Sequence, residues 1–105
     1  MNDHFKIIYK ILRTLEKAMD MSEFDISQIS YTQLEISKER WAKYIEMMAD
    51  AEYIKGVRVY QNLLGETLVD DLGIKITLKG LEYLCENTIM QRMYKTAKGI
   101  TDLVK

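Results

Sequence analysis

The stretch SKERWAKYIEMMADAEYIKGVRVY, residues 37–60, decides the fold because it joins an amphipathic helix to a strand with almost no linker. Ser37 is a favoured helix N-cap residue. Apolar residues follow it at helical spacing: Trp41, Ile45 and Met48. From Ile54 onward, β-prone residues alternate with polar ones around Gly56. The stretch therefore predicts a helix that leads directly into a β-strand.

Two helices are predicted before this stretch. The first carries an apolar stripe at helical spacing: Phe5, Ile8, Leu12, Leu15 and Met19. A second stripe lies beside it: Ile7, Ile11 and Ala18. Because this helix is apolar on two sides, we expect it to have two packing partners. Ser30 and Gln33 then form a capping-box pattern that starts a short helix, and the tight connection to Ser37 predicts a large crossing angle between the second and third helices.

A β-hairpin is predicted from the end of the stretch and the residues after it. The inward positions alternate along both strands: Ile54, Val57, Val59, Ile74 and Ile76. The acidic pair Asp70 and Asp71 lies between Gly65 and Gly73. We therefore assign the pair to a loose turn at the hairpin tip, where the carboxylates would be solvated.

Two further helices are predicted at the C-terminal end. Thr77 caps the first of them, whose apolar face is expected to be buried: Leu78, Leu81, Leu84 and Cys85. The second helix occupies residues 88–105. The order of elements predicts an α+β fold that is mainly α with a small β-hairpin. Specifically, it predicts a winged helix-turn-helix, one domain over residues 1–105, with a C-terminal helical extension.

Composition limits the class of protein. The 105 residues, 48% apolar and 30% charged, suffice for one small core. No window approaches the roughly 18 uncharged apolar residues of a membrane span, so we expect no membrane association and a cytoplasmic location. A single cysteine and a single histidine exclude the ordinary Cys/His zinc sites. No Walker, GxGxxG or Ser-His-Asp pattern occurs, so we expect neither a cofactor nor enzyme activity.

A family resemblance is carried by three segments: the run ITLKGLEYLCENT at residues 76–88, the segment YIKGV and the segment MYKTAKGI. Together they resemble the YjcQ-like proteins, small winged-helix proteins of Gram-positive bacteria and their phages. The resemblance spans most of the chain and implies a winged-helix fold in a phage or prophage setting. It implies no catalytic residue, cofactor or established ligand, so the functional prediction depends on the residues themselves.

Cations gather at the start of the third helix, although the net charge of the chain is only -1. In a winged helix bound to DNA, the N-terminal part of this helix enters the major groove and the hairpin contacts the backbone. A helix N-terminus can also hold a phosphate. The predicted DNA-binding residues are Ser37, Lys38, Arg40, Lys43, Lys55 and Arg58. The sequence thus predicts a transcriptional regulator of phage type that binds double-stranded DNA weakly to moderately.

A second interpretation explains the same residues. The third helix has as many acids as cations on its polar side, and Glu39 can pair with Lys43 across one helical turn. The alternative function is a protein-interaction module that keeps the winged-helix scaffold. Its contact surface would be the last helix or the apolar residues of the hairpin: Leu63, Leu64, Leu68 and Val69. The near-neutral net charge favours this alternative, whereas the clustered cations favour DNA binding.

The last helix is too apolar to stay exposed. Its apolar residues recur along its whole length: Met90, Met93, Tyr94, Ala97, Ile100, Leu103 and Val104. We expect it either to fold back on the second stripe of the first helix or to pair with a second subunit. We favour a homodimer through the first and last helices, because two-fold symmetry would place two reading helices on one DNA site.

Overall fold

The computed structural model of the chain describes residues 3–87, and they form four α-helices, two short 3₁₀ turns and one hairpin. In chain order these are α1 (Asp3–Lys17), 3₁₀ turns at Ala18–Asp20 and Ile26–Ile29, α2 (Tyr31–Leu34), α3 (Lys38–Asp50), β1 (Ile54–Gln61), β2 (Thr67–Ile76) and α4, helical over 78–87. The predicted last helix, residues 88–105, lies outside the described residues. The α+β fold class is confirmed, and the winged-helix assignment stays a prediction from the order of the elements.

Side-chain caps define where the helices begin. The Ser30 hydroxyl accepts from the Gln33 amide at 3.3 Å, and the Ser37 hydroxyl accepts from the Arg40 amide at 3.1 Å. Between these two caps, Glu35 has a left-handed backbone with φ of 57°, which turns the chain sharply after α2. The predicted starts of α2 and α3 are therefore confirmed, and each cap satisfies an amide that would otherwise lack a partner.

One core joins α1, α3, α4 and the inner face of the hairpin. Its buried members are Ile11, Leu12, Leu15, Ile29, Tyr44, Ile45, Met48, Ile54, Ile74, Ile76 and Leu84. The indole N–H of Trp41 donates to the Ile29 carbonyl at 2.7 Å and so ties α3 to the preceding 3₁₀ turn. The predicted inward positions of α3 are confirmed. Burying this apolar stripe stabilises the fold by about 25 cal/mol for each Å² removed from water.

The two strands pair antiparallel and the pairing is interrupted by a bulge between Lys55 and Val57. At this point Gly56 has a φ of +82°, and a Cβ there would lie 2.2 Å from the carbonyl oxygen of Gly73. Only glycine allows the two backbones to approach so closely. On the other strand, the Asp71 carboxylate accepts from the amides of Gly73 and Ile74 at 2.9 Å each, which stabilises the bulge.

The prediction that Asp70 and Asp71 form the hairpin turn was wrong, because both lie within β2. The turn instead runs from Asn62 to Glu66. The Asn62 side-chain oxygen accepts from the amides of Leu64 and Glu66 at 2.9 and 3.0 Å, while the Asn62 carbonyl accepts from the Gly65 amide at 3.0 Å, so side chain and backbone together satisfy the turn. This asparagine, followed by a glycine of positive φ, was the turn signal that the acidic pair obscured.

Several apolar side chains predicted to be buried are exposed instead. Phe5 of α1 and Met19 of the following 3₁₀ turn are exposed, while Ile11 of the second stripe is completely buried. The core therefore covers the middle of α1 rather than the full length of its first stripe. In α4, Leu78 and Cys85 are exposed. Successive residues of a helix are rotated by about 100° around its axis. Because Leu84 points into the core, Cys85 points away from it.

Candidate nucleic-acid interface

The structure places the four α3 candidates on consecutive turns at the exposed start of that helix. Ser37, Lys38, Arg40 and Lys43 are all exposed. The opposite side of α3 faces the core through Ala42, Tyr44, Ile45 and Met48. Burial of these four residues fixes the rotation of the helix, so Arg40 and Lys43, about 60° apart around its axis, point to the same side. Lys38 lies about 160° around the axis from Arg40, so the three cations share the exposed surface of the helix start rather than one face. We call this surface, Ser37 with Lys38, Arg40 and Lys43, the α3 cationic surface.

The Arg40 side chain is held by a residue one turn further along α3. Its Nη1 donates to the Tyr44 hydroxyl at 3.3 Å. Tyr44 is only 2% exposed, and its hydroxyl shares a second hydrogen bond with Nδ1 of His4, at 2.5 Å. The phenol therefore connects the start of α1 to the α3 cationic surface and restricts the position of the guanidinium.

Glu39 is the acid within this cationic cluster, and it bonds to the hairpin. Its carboxylate accepts from the Thr67 hydroxyl at 2.8 Å. This hydrogen bond lowers the pKa of Glu39, and the charge of Lys43 lowers it further. The carboxylate thus stays ionised at neutral pH, and it serves to attach α3 to the start of β2. Nothing in the sequence signals this contact, because its partners lie 28 residues apart.

The two hairpin candidates both lie on the exposed face of β1, but their charges have different neighbours. Arg58 donates to the Asp70 carboxylate at 2.8 Å and lies 4.7 Å above the centre of the Tyr60 ring. The hydrogen bond and charge of Asp70 raise the pKa of Arg58. Lys55 lies directly across the ladder from Lys75. Like charges at such positions repel, so an anion bound near this pair would stabilise it.

Two residues outside the predicted DNA-binding set lie beside it in the structure. Lys75 joins Lys55 because the strand register makes them partners, and Tyr44 joins Arg40 through its hydroxyl. A register cannot be read from the sequence when a bulge shifts it. Tyr44 has two roles in the structure, because its ring is buried in the core while its hydroxyl reaches Arg40.

The tip of the hairpin presents two apolar side chains to solvent. Leu63 and Leu64 are both almost fully exposed. Leu68 and Val69, which the sequence grouped with them, are half-buried within β2. The apolar hairpin surface is therefore reduced to the Leu63–Leu64 tip.

A protein-family model described as YjcQ protein matches residues 9–103 of the chain. The chain belongs to the YjcQ family. The match confirms the resemblance and includes the α3 cationic surface, the hairpin and α4, whereas His4 precedes the YjcQ match. Neither the search of curated proteins nor that of solved structures found a match.

Residues 3–87 of this YjcQ-family chain contain neither a group of metal ligands nor a membrane-spanning helix. The described acidic, histidine and cysteine side chains form no group that could hold a metal ion. Among the described helices, none has the length and apolarity needed to cross a bilayer. The α3 cationic surface with the Lys55 and Lys75 pair is therefore the candidate site that the described residues present most clearly.

Replacement of the Ser37 cap separates its structural role from a role in binding. Ser37→Ala should lower the free energy of unfolding by about 1 kcal/mol, because the Arg40 amide loses its acceptor. Ser37→Asp should keep the stability, since aspartate caps equally well, but should weaken binding of duplex DNA at least about threefold at low salt. Urea unfolding and fluorescence anisotropy measure the two effects. Equal DNA binding by wild type and Ser37→Asp would contradict a phosphate contact at this helix end.

Proposed function

We propose that the protein binds double-stranded DNA through the α3 cationic surface, as a small regulator of phage or prophage type. The observation that carries the proposal is the exposure of Lys38, Arg40 and Lys43 at one helix start. The acid among them, Glu39, is bonded to Thr67 on the hairpin. Three cations are thus available where a helix start can enter the major groove. No catalytic step forms part of this proposal.

In this proposal the hairpin contacts the DNA backbone beside the groove. Lys55 and Lys75 would contact phosphates, because an anion relieves the repulsion between two opposed ammonium groups. Arg58 has to leave Asp70 to reach a phosphate, so its contribution to affinity is smaller than its charge suggests. Binding is therefore expected to be weak to moderate, since tight binders commonly make about six to ten phosphate contacts.

An anisotropy titration of a random duplex tests the proposal. Counterion release requires that the logarithm of the association constant fall linearly with the logarithm of salt concentration, by about 0.9 for each phosphate contact. With about four or five contacts, affinity should fall at least about a hundredfold between 50 and 200 mM salt. Absence of binding at about 50 mM salt would contradict the proposal.

Removing the acid that neutralises Arg58 should strengthen DNA binding. Asp70→Asn leaves a side chain of similar shape at position 70 but removes the 2.8 Å ion pair that holds the Arg58 guanidinium. The guanidinium is then free to contact a phosphate. Gaining one phosphate contact should raise duplex affinity about three- to tenfold at low salt. Asp50→Asn, at the far end of α3, changes the net charge equally and is the control. Equal effects of the two substitutions would show that only net charge matters and would contradict a contact from Arg58.

A second function is favoured by one observation, the almost complete exposure of Leu63 and Leu64 at the hairpin tip. In this alternative the protein is an interaction module whose Leu63–Leu64 tip enters an apolar pocket on another protein. It requires no DNA affinity, so the salt titration separates it from the first proposal. Replacing both leucines by serine should leave DNA affinity unchanged if the tip serves a protein partner only.

A homodimer forms part of the proposal, because two-fold symmetry would present two α3 helices to one DNA site. The predicted second stripe contributes Ile11 to the core, while Ile7 on α1 and Ala18 in the following 3₁₀ turn are half-buried. The two half-buried residues are the part of this stripe that a second subunit could cover. The other half of the proposed contact, residues 88–105, lies outside the described residues.

A further inference from the structure

A cleft of about 560 Å³ opens between the first turns of α1 and the start of α3. Its volume is within the range of small-molecule sites, which is about 300–1,000 Å³. The cleft shares Arg40 and Lys43 with the α3 cationic surface. A molecule bound in the cleft would therefore contact residues that the proposed function assigns to DNA.

Part of the cleft wall is apolar. Its walls include Phe5 and Ile8 of α1 and Met47 of α3. Phe5 is 55% exposed and Met47 is 52% exposed, so both side chains offer apolar surface to water. Covering such surface is favourable by about 25 cal/mol for each Å². The walls therefore fit a ligand with an apolar body.

The rest of the cleft wall includes the cations Arg40 and Lys43 and the buried Tyr44. Arg40 is held in place by the Tyr44 hydroxyl at 3.3 Å, and Tyr44 uses only part of the donor capacity of a guanidinium. The planar fork of an arginine matches the two oxygens of a carboxylate. Lys43 adds a second positive charge, and Glu39 contributes one negative charge while bonded to Thr67. The charged residues around the cleft thus leave a net positive charge of one, which suits a monoanion.

We propose that this cleft binds a small monocarboxylic acid with an apolar body, its carboxylate on Arg40 and Lys43 and its body against Phe5, Ile8 and Met47. Bound there, the acid opposes DNA binding, because its carboxylate occupies two of the cations assigned to DNA and cancels one of their two charges. This regulatory part rests on the proposed function. Binding of the acid to the cleft does not rest on the proposed function, so binding and regulation are tested separately.

Calorimetric titration of the full chain with octanoate tests the binding. Octanoate should bind, and octan-1-ol, which has the same chain without the charge, should bind at least about tenfold more weakly. Arg40→Gln and Lys43→Gln should each weaken octanoate binding, Arg40→Gln by about tenfold or more. Arg58→Gln makes the same chemical change outside the cleft and should have no effect. Circular dichroism of each variant verifies that it is folded.

Three results would overturn the binding proposal: no heat from octanoate with the wild type, equal binding of octan-1-ol, or equal losses in Arg40→Gln and Arg58→Gln. A second copy of the chain could also cover the apolar walls. In that case sedimentation would give a dimer that Phe5→Ser dissociates and octanoate binding would vanish as the dimer forms, and this result would likewise overturn the proposal.

Duplex titrations with and without octanoate test the regulatory part. Octanoate at a saturating concentration should weaken DNA binding at least about fivefold, whereas acetate at the same concentration controls for ionic strength. Unchanged DNA affinity in octanoate would overturn the regulatory part alone. Octanoate binding by a protein that binds no DNA would overturn both the regulatory part and the proposed function, and it would support the cleft.

Discussion

Gly56→Ala is expected to lower the free energy of unfolding by about 3 kcal/mol or more, a large fraction of the stability of a domain of this size. A Cβ at this position would lie 2.2 Å from the oxygen and 2.6 Å from the carbon of the Gly73 carbonyl. Both atoms belong to the backbone of the bulge, so relief requires the strands to separate. The positive φ of +82° adds the strain of a left-handed backbone.

Gly65→Ala is the matched control for this substitution. Gly65 has the same φ of +82°, but a Cβ there would meet no atom within 4 Å. Gly65→Ala should therefore lower the free energy of unfolding only by the backbone strain, roughly 1 kcal/mol. Urea unfolding monitored by circular dichroism gives both values. Equal losses in the two variants would contradict the close approach of Gly56 to Gly73 and, with it, the strand register on which the Lys55 and Lys75 pair depends.

The double substitution Lys38→Glu with Lys43→Glu should weaken duplex binding at least about a hundredfold at about 50 mM salt. Loss of two phosphate contacts alone reduces the salt slope by nearly two, and the new carboxylates repel the phosphates. Stability should change by less than about 1 kcal/mol, because both side chains are exposed. The glutamate at position 38 interacts favourably with the helix dipole, whereas the one at position 43 repels Glu39 across one helical turn by about 0.2–0.5 kcal/mol. Arg40 is left unchanged, since it also supports Tyr44.

The control for the double substitution is Lys10→Glu with Lys17→Glu. Both lysines are exposed on α1, and replacing them changes the net charge by the same amount. If DNA is bound by the α3 cationic surface, the control should lose only a few-fold in affinity through the weaker overall field. Equal losses in the two double variants would show that DNA is attracted by net charge without a defined surface.

The elements of the fold could be predicted where their causes are local in the sequence. The Ser37 cap and the spacing of Trp41, Ile45 and Met48 determine the start and the rotation of α3 within a few turns. The alternation from Ile54 onward likewise identifies β1. The same reasoning failed at Cys85 and at Asp70, where the outcome depends on which neighbouring turn of helix or strand packs against the rest of the chain.

The charge balance of the candidate site could not be predicted, because it depends on contacts between distant residues. Glu39 meets Thr67 across 28 residues, and Arg58 meets Asp70 only because the turn lies at 62–66 rather than at the acidic pair. From the sequence alone, the negative charge of Glu39 is expected to weaken DNA binding and the positive charge of Arg58 to strengthen it. The structure changes both expectations: Glu39 keeps its negative charge but its carboxylate is bonded to Thr67 on the hairpin, and Arg58 contributes less because it is paired with Asp70.

Chemical-shift mapping of the ¹⁵N-labelled full chain with a short random duplex tests the central claim most directly. If the start of α3 is the DNA surface, the largest amide shifts should fall on residues 37–43, with smaller ones at Lys55 and Lys75. The shifts should decrease as salt is raised, because phosphate contacts release counterions. Shifts confined to the Leu63–Leu64 tip, or no shifts at about 50 mM salt, would contradict the account.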